Sequence, residues 1–366
     1  MLSSIPLLVV PFILYNLGLA GVFGAGPGGD PWSIELFSFS MMSGGVFSMT
    51  LGMLMIVIAL VTRTGPNTAL KDEQAMWPDL TAQLNTVDTI EIRGDADQTV
   101  TLIRADGTWL VEQRDYPAKV GDIRELLISL SEATILEDKT SNPDLYARLG
   151  VQPHGEGDTA NQLIRLQAGD TELGALILGN TASQPRGSYV RLSDAETSGL
   201  ADRVLVASAD ISQWLEPVVI NLAPDAIQTV QVRTGDGEAY VIAREADNGT
   251  LSLVDIPDGR TAKGANVARV PRVLQNLRLE DVLPADAELP TQGWTKLQFD
   301  TTAGERITVE VIEHDERKLM RIQVAATEDS TLTVPAQLDG RAFTVQGYKF
   351  NDATLGLDLL TEAIAP

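Results

Sequence analysis

Hydrophobic positions divide this chain into two regimes. Up to Thr62 they form two long uninterrupted runs, and after Arg63 they recur in short alternating or helical patterns between polar turns. The first run, 5–23, holds 19 uncharged residues. At about 1.5 Å rise per residue, that length crosses a hydrocarbon core of about 30 Å. The second run, 46–62, holds 17 residues and is near the lower limit of a span. Between them, residues 24–35 carry the Gly/Pro punctuation of a tight turn, with Trp32 suited to a membrane interface. The pattern predicts a transmembrane helical hairpin over 1–62. A cleaved signal peptide is the competing reading of the first run, but the run lacks a basic leading region and a second apolar run follows it.

From position 87 the period changes. Residues 87–94 (VDTIEIRG), 99–104 (TVTLIR) and 108–113 (TWLVEQ) alternate apolar and polar residues between Gly-Asp and Asp-Gly turns. This predicts an antiparallel meander with one buried face. Tyr116 and Pro117 then open a predicted helix whose Val120, Ile123, Leu126, Leu127 and Leu130 form one apolar stripe. About 140 residues later the order recurs. Residues 227–233 (IQTVQVR), 238–244 (EAYVIAR) and 250–255 (TLSLVD) predict a second meander, and 266–277 a second helix with Pro271 in its first turn. The helices are followed by similar short apolar exits at 133–137 and 279–283. Further strands are expected over 162–178, 187–191 and 203–206, and again over 294–299, 306–312, 319–324 and 342–345. The predicted fold class is α+β: a linker over 63–86, then two tandem α+β units, 87–216 and 227–363, each an antiparallel meander with packed helices.

Charge adds a constraint on partners. All 27 Lys and Arg and 48 of the 50 Asp and Glu lie from Arg63 onward, so that part carries 21 of the chain's 23 net negative charges. Such a body repels nucleic acid and anionic headgroups. The acids are scattered, as on a solvated globular surface. With no Cys, disulfides, thiolate zinc sites and a Cys nucleophile are excluded.

The sharpest local pattern is 140–151 (TSNPDLYARLGV). Ser141 or Asn142 can cap a helix, Pro143 suits its first position, Asp144 meets the positive helix end, and Gly150 can take the left-handed stop. It predicts a short connecting helix pinned by Leu145, Tyr146 and Leu149. Its functional reading is a surface element read by a partner, with Asn142, Pro143, Tyr146 and Arg148 as the contacting residues. Arg186, Tyr189 and Arg191 place two cations and an aromatic on a predicted strand pair, able to grip an anionic group or to balance surface charge. The only two His residues, His154 and His314, sit beside carboxylates, a ligand set for a hard or borderline cation, but neither has the spacing of a helical metal motif. No nucleophile motif is present, and no catalytic, cofactor-binding or metal-binding residue is assigned. Trp109, Trp214 and Trp294 can line a groove or fill a core.

Taken together, 80–85 (LTAQLN), 87–93, 106–111 (DGTWLV), 116–118 (YPA), 140–150, Leu178 with Gly179, 189–191 (YVR) and 210–215 resemble a bacterial family known as domain of unknown function 4340. The resemblance implies one N-terminal membrane helix, a soluble body outside the cytoplasm, and, in some relatives, an auxiliary place in ABC-type export or gliding systems. It carries over no catalytic residue. Residues 4–18 and 49–52 resemble instead the start of a separate family of small polytopic membrane proteins.

The resulting expectation is a non-catalytic module anchored in the bacterial inner membrane with its body in the periplasm, the alternative being a cytoplasmic body if both apolar runs span and the N-terminus lies inside. It would serve as an auxiliary or scaffold subunit of an envelope complex such as an ABC-type transporter, with the lipid bilayer and a membrane-protein permease as partners and no cofactor. The alternatives are capture of an envelope glycan or small ligand, and metal-dependent catalysis through His154 or His314.

Overall fold

Alternation of apolar and polar residues, repeated strand after strand, builds two large antiparallel sheets. The computed structural model describes residues 74–95, 98–155, 161–325, 330 and 332–364. The predicted hairpin over 1–62, and the linker up to position 73, lie outside the described residues. No helix among the described residues is long and apolar enough to cross a membrane.

The first sheet contains β1 (Gln74–Ala75), β2 (Thr89–Arg93), β3 (Thr99–Ala105), β4 (Thr108–Val111), β5 (Tyr116–Pro117), β6 (Thr134–Thr140), β7 (Gln162–Ala168), β8 (Thr171–Ser183), β9 (Arg186–Leu192) and β10 (Ser198–Ala201). Their order across the sheet is β1-β6-β10-β9-β8-β7-β2-β3-β4-β5. The second contains β11 (Val218–Ile220), β12 (Ile227–Arg233), β13 (Ala239–Arg244) and β14 (Leu251–Val254). After β15 (Arg260–Ala262), it continues with β16 (Leu277–Val282), β17 (Thr295–Thr301), β18 (Arg306–His314), β19 (Arg317–Ala325) and β20 (Phe343–Val345). Its order is β11-β16-β20-β19-β18-β17-β12-β13-β14. Adding ten to the first nine labels of one order generates the other. Within each sheet the same path is followed: a short leading strand, a three-strand meander, a crossing segment, then a strand that returns to the far edge. β15 pairs instead with β21 (Thr361–Ala363) as a separate two-stranded sheet.

This balance corrects the α+β expectation. Among the described residues antiparallel sheet dominates, and the helices are short: α1 (Leu80–Gln83), α2 (Val120–Glu132), α3 (Tyr146–Leu149), α4 (Gly264–Val267), α5 (Gly347–Ala353) and α6 (Leu357–Leu360). Only α2 forms the long amphipathic helix that its stripe predicts, burying Ile123, Leu126, Leu127 and Leu130. The second predicted helix, 266–277, breaks at Pro271. Proline lacks the N–H that an α-helix would use and its ring crowds the preceding turn. The segment therefore becomes α4 followed by a 3-10 turn over Val270–Leu274, and Leu277 opens β16. Val270, Val273, Leu274 and Leu277 are all fully buried nonetheless. The apolar exits at 133–137 and 279–283 become or overlap the long strands β6 and β16, whereas 203–206 forms no ladder.

One apolar core runs through both sheets, from Trp77 and Ile90 in the first to Phe299 and Phe343 in the second. Trp109 and Trp214 belong to it. The sheets are stitched through residues 214–220. The Glu216 N–H donates to the Pro117 carbonyl at 2.8 Å, Ala118 bridges Leu215, and β11 then joins β16.

Candidate partner-binding site

The segment between β6 and β7 lies on the outer face of the first sheet, and its shape follows from local chemistry. The Thr140 hydroxyl accepts from the Asn142 N–H at 3.0 Å, and the Asn142 side chain accepts from the Asp144 N–H at 3.1 Å. That cap, with Pro143 next in line, starts a 3-10 turn over Pro143–Leu145 that passes directly into α3. Gly150 ends it with φ 73°, its N–H directed to the carbonyls of Ala147 and Tyr146.

Tyr146 anchors the segment. It is buried against Val151, Leu163, Ala175 and Ile177, a small core separate from the main one. Its hydroxyl donates to the Glu196 carbonyl. The Arg191 guanidinium lies 4.7 Å from the ring centroid. Arg191 itself is buried; its Nε donates to the Val151 carbonyl at 2.8 Å and its Nη1 to the Ala195 carbonyl at 3.0 Å. A cation with these contacts clamps the far end of the segment to β9. Gly179 in β8 makes the close approach possible, since a Cβ there would lie 2.8 Å from the Gly150 carbonyl oxygen and closer still to that of Leu149.

Above this base the segment faces outward. Asn142, Pro143, Asp144, Leu145 and Arg148 are exposed, and Leu145, at 38 %, sits next to Tyr146, at 5 %. Tyr189, half-buried on β9, borders the same small core and has the Lys139 ammonium 5.7 Å from its ring. The structure thus brings Asn142, Pro143, Tyr146, Arg148, Tyr189 and Arg191 to one region. It leaves Arg186 apart, exposed at the β8–β9 turn, where strand alternation puts it on the opposite side from Tyr189 and Arg191. The two arginines therefore do not converge on one anion. Sequence reasoning met Gly179 only as part of a family resemblance, without its packing role, and missed the carbonyls of Val151, Ala195 and Glu196. Backbone acceptors carry no residue signature, and only the docking of the Tyr146 and Arg191 side chains reveals them.

The histidines are held locally. His154 Nδ1 lies 3.1 Å from Asn161 Oδ1, while its predicted neighbours Glu156 and Asp158 are outside the described residues. His314 Nε2 is 3.4 Å from Asp315 Oδ2. Asp315 and Glu316, with φ of 50° and 62°, form a two-residue turn between β18 and β19, the primed geometry that hairpin twist favours. Among the described residues no group of three or more such side chains is placed to hold a metal ion. Trp294 packs beneath the guanidinium of Arg321, 4.5 Å from its ring centroid, which repeats on the second sheet the Tyr146–Arg191 stack of the first.

These features define a protein of two topologically repeated antiparallel sheets with an anchored surface element between β6 and β7. Residues 109–297 match the family described as a domain of unknown function (DUF4340), and the chain belongs to that family. The match begins in β4 and ends in β17, so it spans the junction of the two sheets, and it indicates no catalytic family. No curated protein and no solved structure matches the chain.

Proposed function

We propose that this chain is a non-catalytic docking module, an auxiliary or scaffold subunit of an envelope membrane complex, whose protein partner contacts the ridge from Asn142 to Arg148. The observation that supports this reading is the contrast within that ridge. Its base is fixed by a buried tyrosine, a buried arginine and backbone packing, while its tip presents Pro143, Leu145 and Arg148 to solvent. An exposed apolar residue on a preorganised element loses little conformational entropy when a partner covers it.

The partner class to test is an ABC-type permease, with the body on the periplasmic side. The proposed surface lies within residues 139–191. A photo-crosslinking residue at Leu145, in the full chain at native expression, should give one discrete adduct with such a membrane protein. Arg148→Glu should reduce that adduct at least fivefold. Recovery of the chain alone and without adduct after mild detergent extraction would overturn the reading.

A further inference from the structure

The two sheets provide an internal comparison at equivalent positions. β2 reads Thr89-Ile90-Glu91-Ile92-Arg93 and β12 reads Thr229-Val230-Gln231-Val232-Arg233. In the first sheet the outward charges neutralise one another. Glu91 pairs with Arg93 at 2.6 Å and with Arg165 of β7 at 2.9 Å, and Arg165 reaches Glu172 at 3.1 Å.

In the second sheet the arginine is kept and its carboxylate is not. Gln231 stands where Glu91 does, and Gln298 of β17 stands where Arg165 does. Lys296 replaces the apolar Leu163 directly across from the arginine, so that Arg233 and Lys296 are cross-strand partners. Like charges directly opposed on a sheet face destabilise it. Lys296 has one loose pair, with Glu310 at 3.8 Å, and Arg233 has no ion-pair partner among the described residues.

These four side chains line a groove of about 410 Å³ whose apolar wall includes Val241 and Val254. Asp255 lines it as well, but it follows β14, two strands from Arg233, a separation of about 10 Å at normal strand spacing. We infer that this outer face of the second sheet, at Gln231, Arg233, Lys296 and Gln298, binds an oxyanion, a phosphate or carboxylate carried on a small polar molecule. The guanidinium fork and the ammonium take the charged oxygens, and the two amides supply donors beside them. The groove has room for a compact carbon body against Val241 and Val254. Because the whole chain carries a net charge of −23, the attraction is local and opposed by the overall field. This site is separate from the docking ridge, and its failure would leave that reading untouched.

Calorimetric titration of the full chain with inorganic phosphate, glycerol 3-phosphate and succinate, at matched ionic strength, tests the inference. Saturable binding of at least one probe is expected, and the phosphate and carboxylate arms show which headgroup is preferred. Arg233→Gln should weaken binding at least tenfold. Gln231→Glu, which installs the carboxylate that neutralises Arg93 in the first sheet, should weaken it similarly with an unchanged circular dichroism spectrum. Lys296→Leu, which copies Leu163, is the second variant should Gln231→Glu fail to fold. Absence of saturable binding with all three probes up to about 10 mM, ten times a weak millimolar Kd, would overturn the site. Binding that survives Arg233→Gln unchanged would do the same.

Discussion

Arg191 shows how one side chain can decide the fate of a segment distant in sequence. Its guanidinium satisfies two backbone carbonyls and faces the Tyr146 ring, and the side chain is buried. Arg191→Met keeps length and apolar volume but leaves both carbonyls without that donor. A loss of about 2–4 kcal/mol is expected, from two charge-assisted hydrogen bonds and the ring contact, read by urea unfolding. A loss below 0.5 kcal/mol, the ordinary surface-substitution range, would refute the clamp. Two other buried residues set an alkaline limit on stability. Burial pushes the hydroxyls of Tyr116 and Tyr240 well above their ordinary value of 10.0, with Glu216 and Glu238 respectively adding to the effect. Since the folded values are raised, the unfolded chain gives up its protons first. The contribution is fully present below pH 10.0 and is lost as pH rises above it. Urea midpoints measured on either side of that pH should fall more steeply in the parent protein than in a Tyr116→Phe, Tyr240→Phe double variant. At neutral pH the Tyr240→Phe change alone should cost about 1–2 kcal/mol, because the Leu355 carbonyl loses its 2.7 Å donor.

Among elements, the segment from Thr140 to Val151 was the most legible in sequence. Its cap, its proline and its terminating glycine are all local signals, and each acts through backbone groups within a few residues. What its pattern does not reveal is where it docks, because Gly179 lies on a strand about thirty residues further on. Gly179→Ala would drive a methyl into the Leu149 and Gly150 carbonyls. It should cost about 1–3 kcal/mol by overpacking and accelerate amide hydrogen exchange at Gly150 and Val151, leaving the main-core strands protected. Uniform acceleration across the first sheet would argue against local docking. The second predicted helix failed for an equally specific reason. The apolar spacing of Val270, Val273, Leu274 and Leu277 is helical and all four are buried, but Pro271 denies the α-helix one of its hydrogen bonds. Periodicity identified the buried face correctly and the secondary structure incorrectly.

At the scale of the whole molecule, the duplicated strand order rests on pairings that join residues far apart in sequence, such as β2 with β7 and β12 with β17. Arg114 and Arg341 tie the two sheets together at their junction. Arg114 reaches both carboxylate oxygens of Asp281 at 2.8 and 3.0 Å, and Arg341 donates to the carbonyls of Arg114 and Leu283, each at 2.8 Å. Removing both with Arg114→Ala and Arg341→Ala should lower stability by about 2–4 kcal/mol. Unfolding should nevertheless remain a single calorimetric transition, because the apolar core is continuous through both sheets. Two separated transitions would show that the polar junction, not the core, couples them.

By itself the sequence determined the local terms. Alternating residues marked the meander strands, the apolar stripe marked α2, and cap chemistry marked the turn into α3, since each depends on neighbours within a few positions. Tertiary structure decided the balance of sheet over helix, the shared strand path of the two sheets, the fate of Arg191 as an internal clamp, and the contrast between a neutralised Arg93 and an Arg233 without an ion-pair partner among the described residues. Those outcomes depend on which distant strands lie side by side and in what register. Alternation specifies which face a residue occupies, but only strand pairing specifies what stands opposite it.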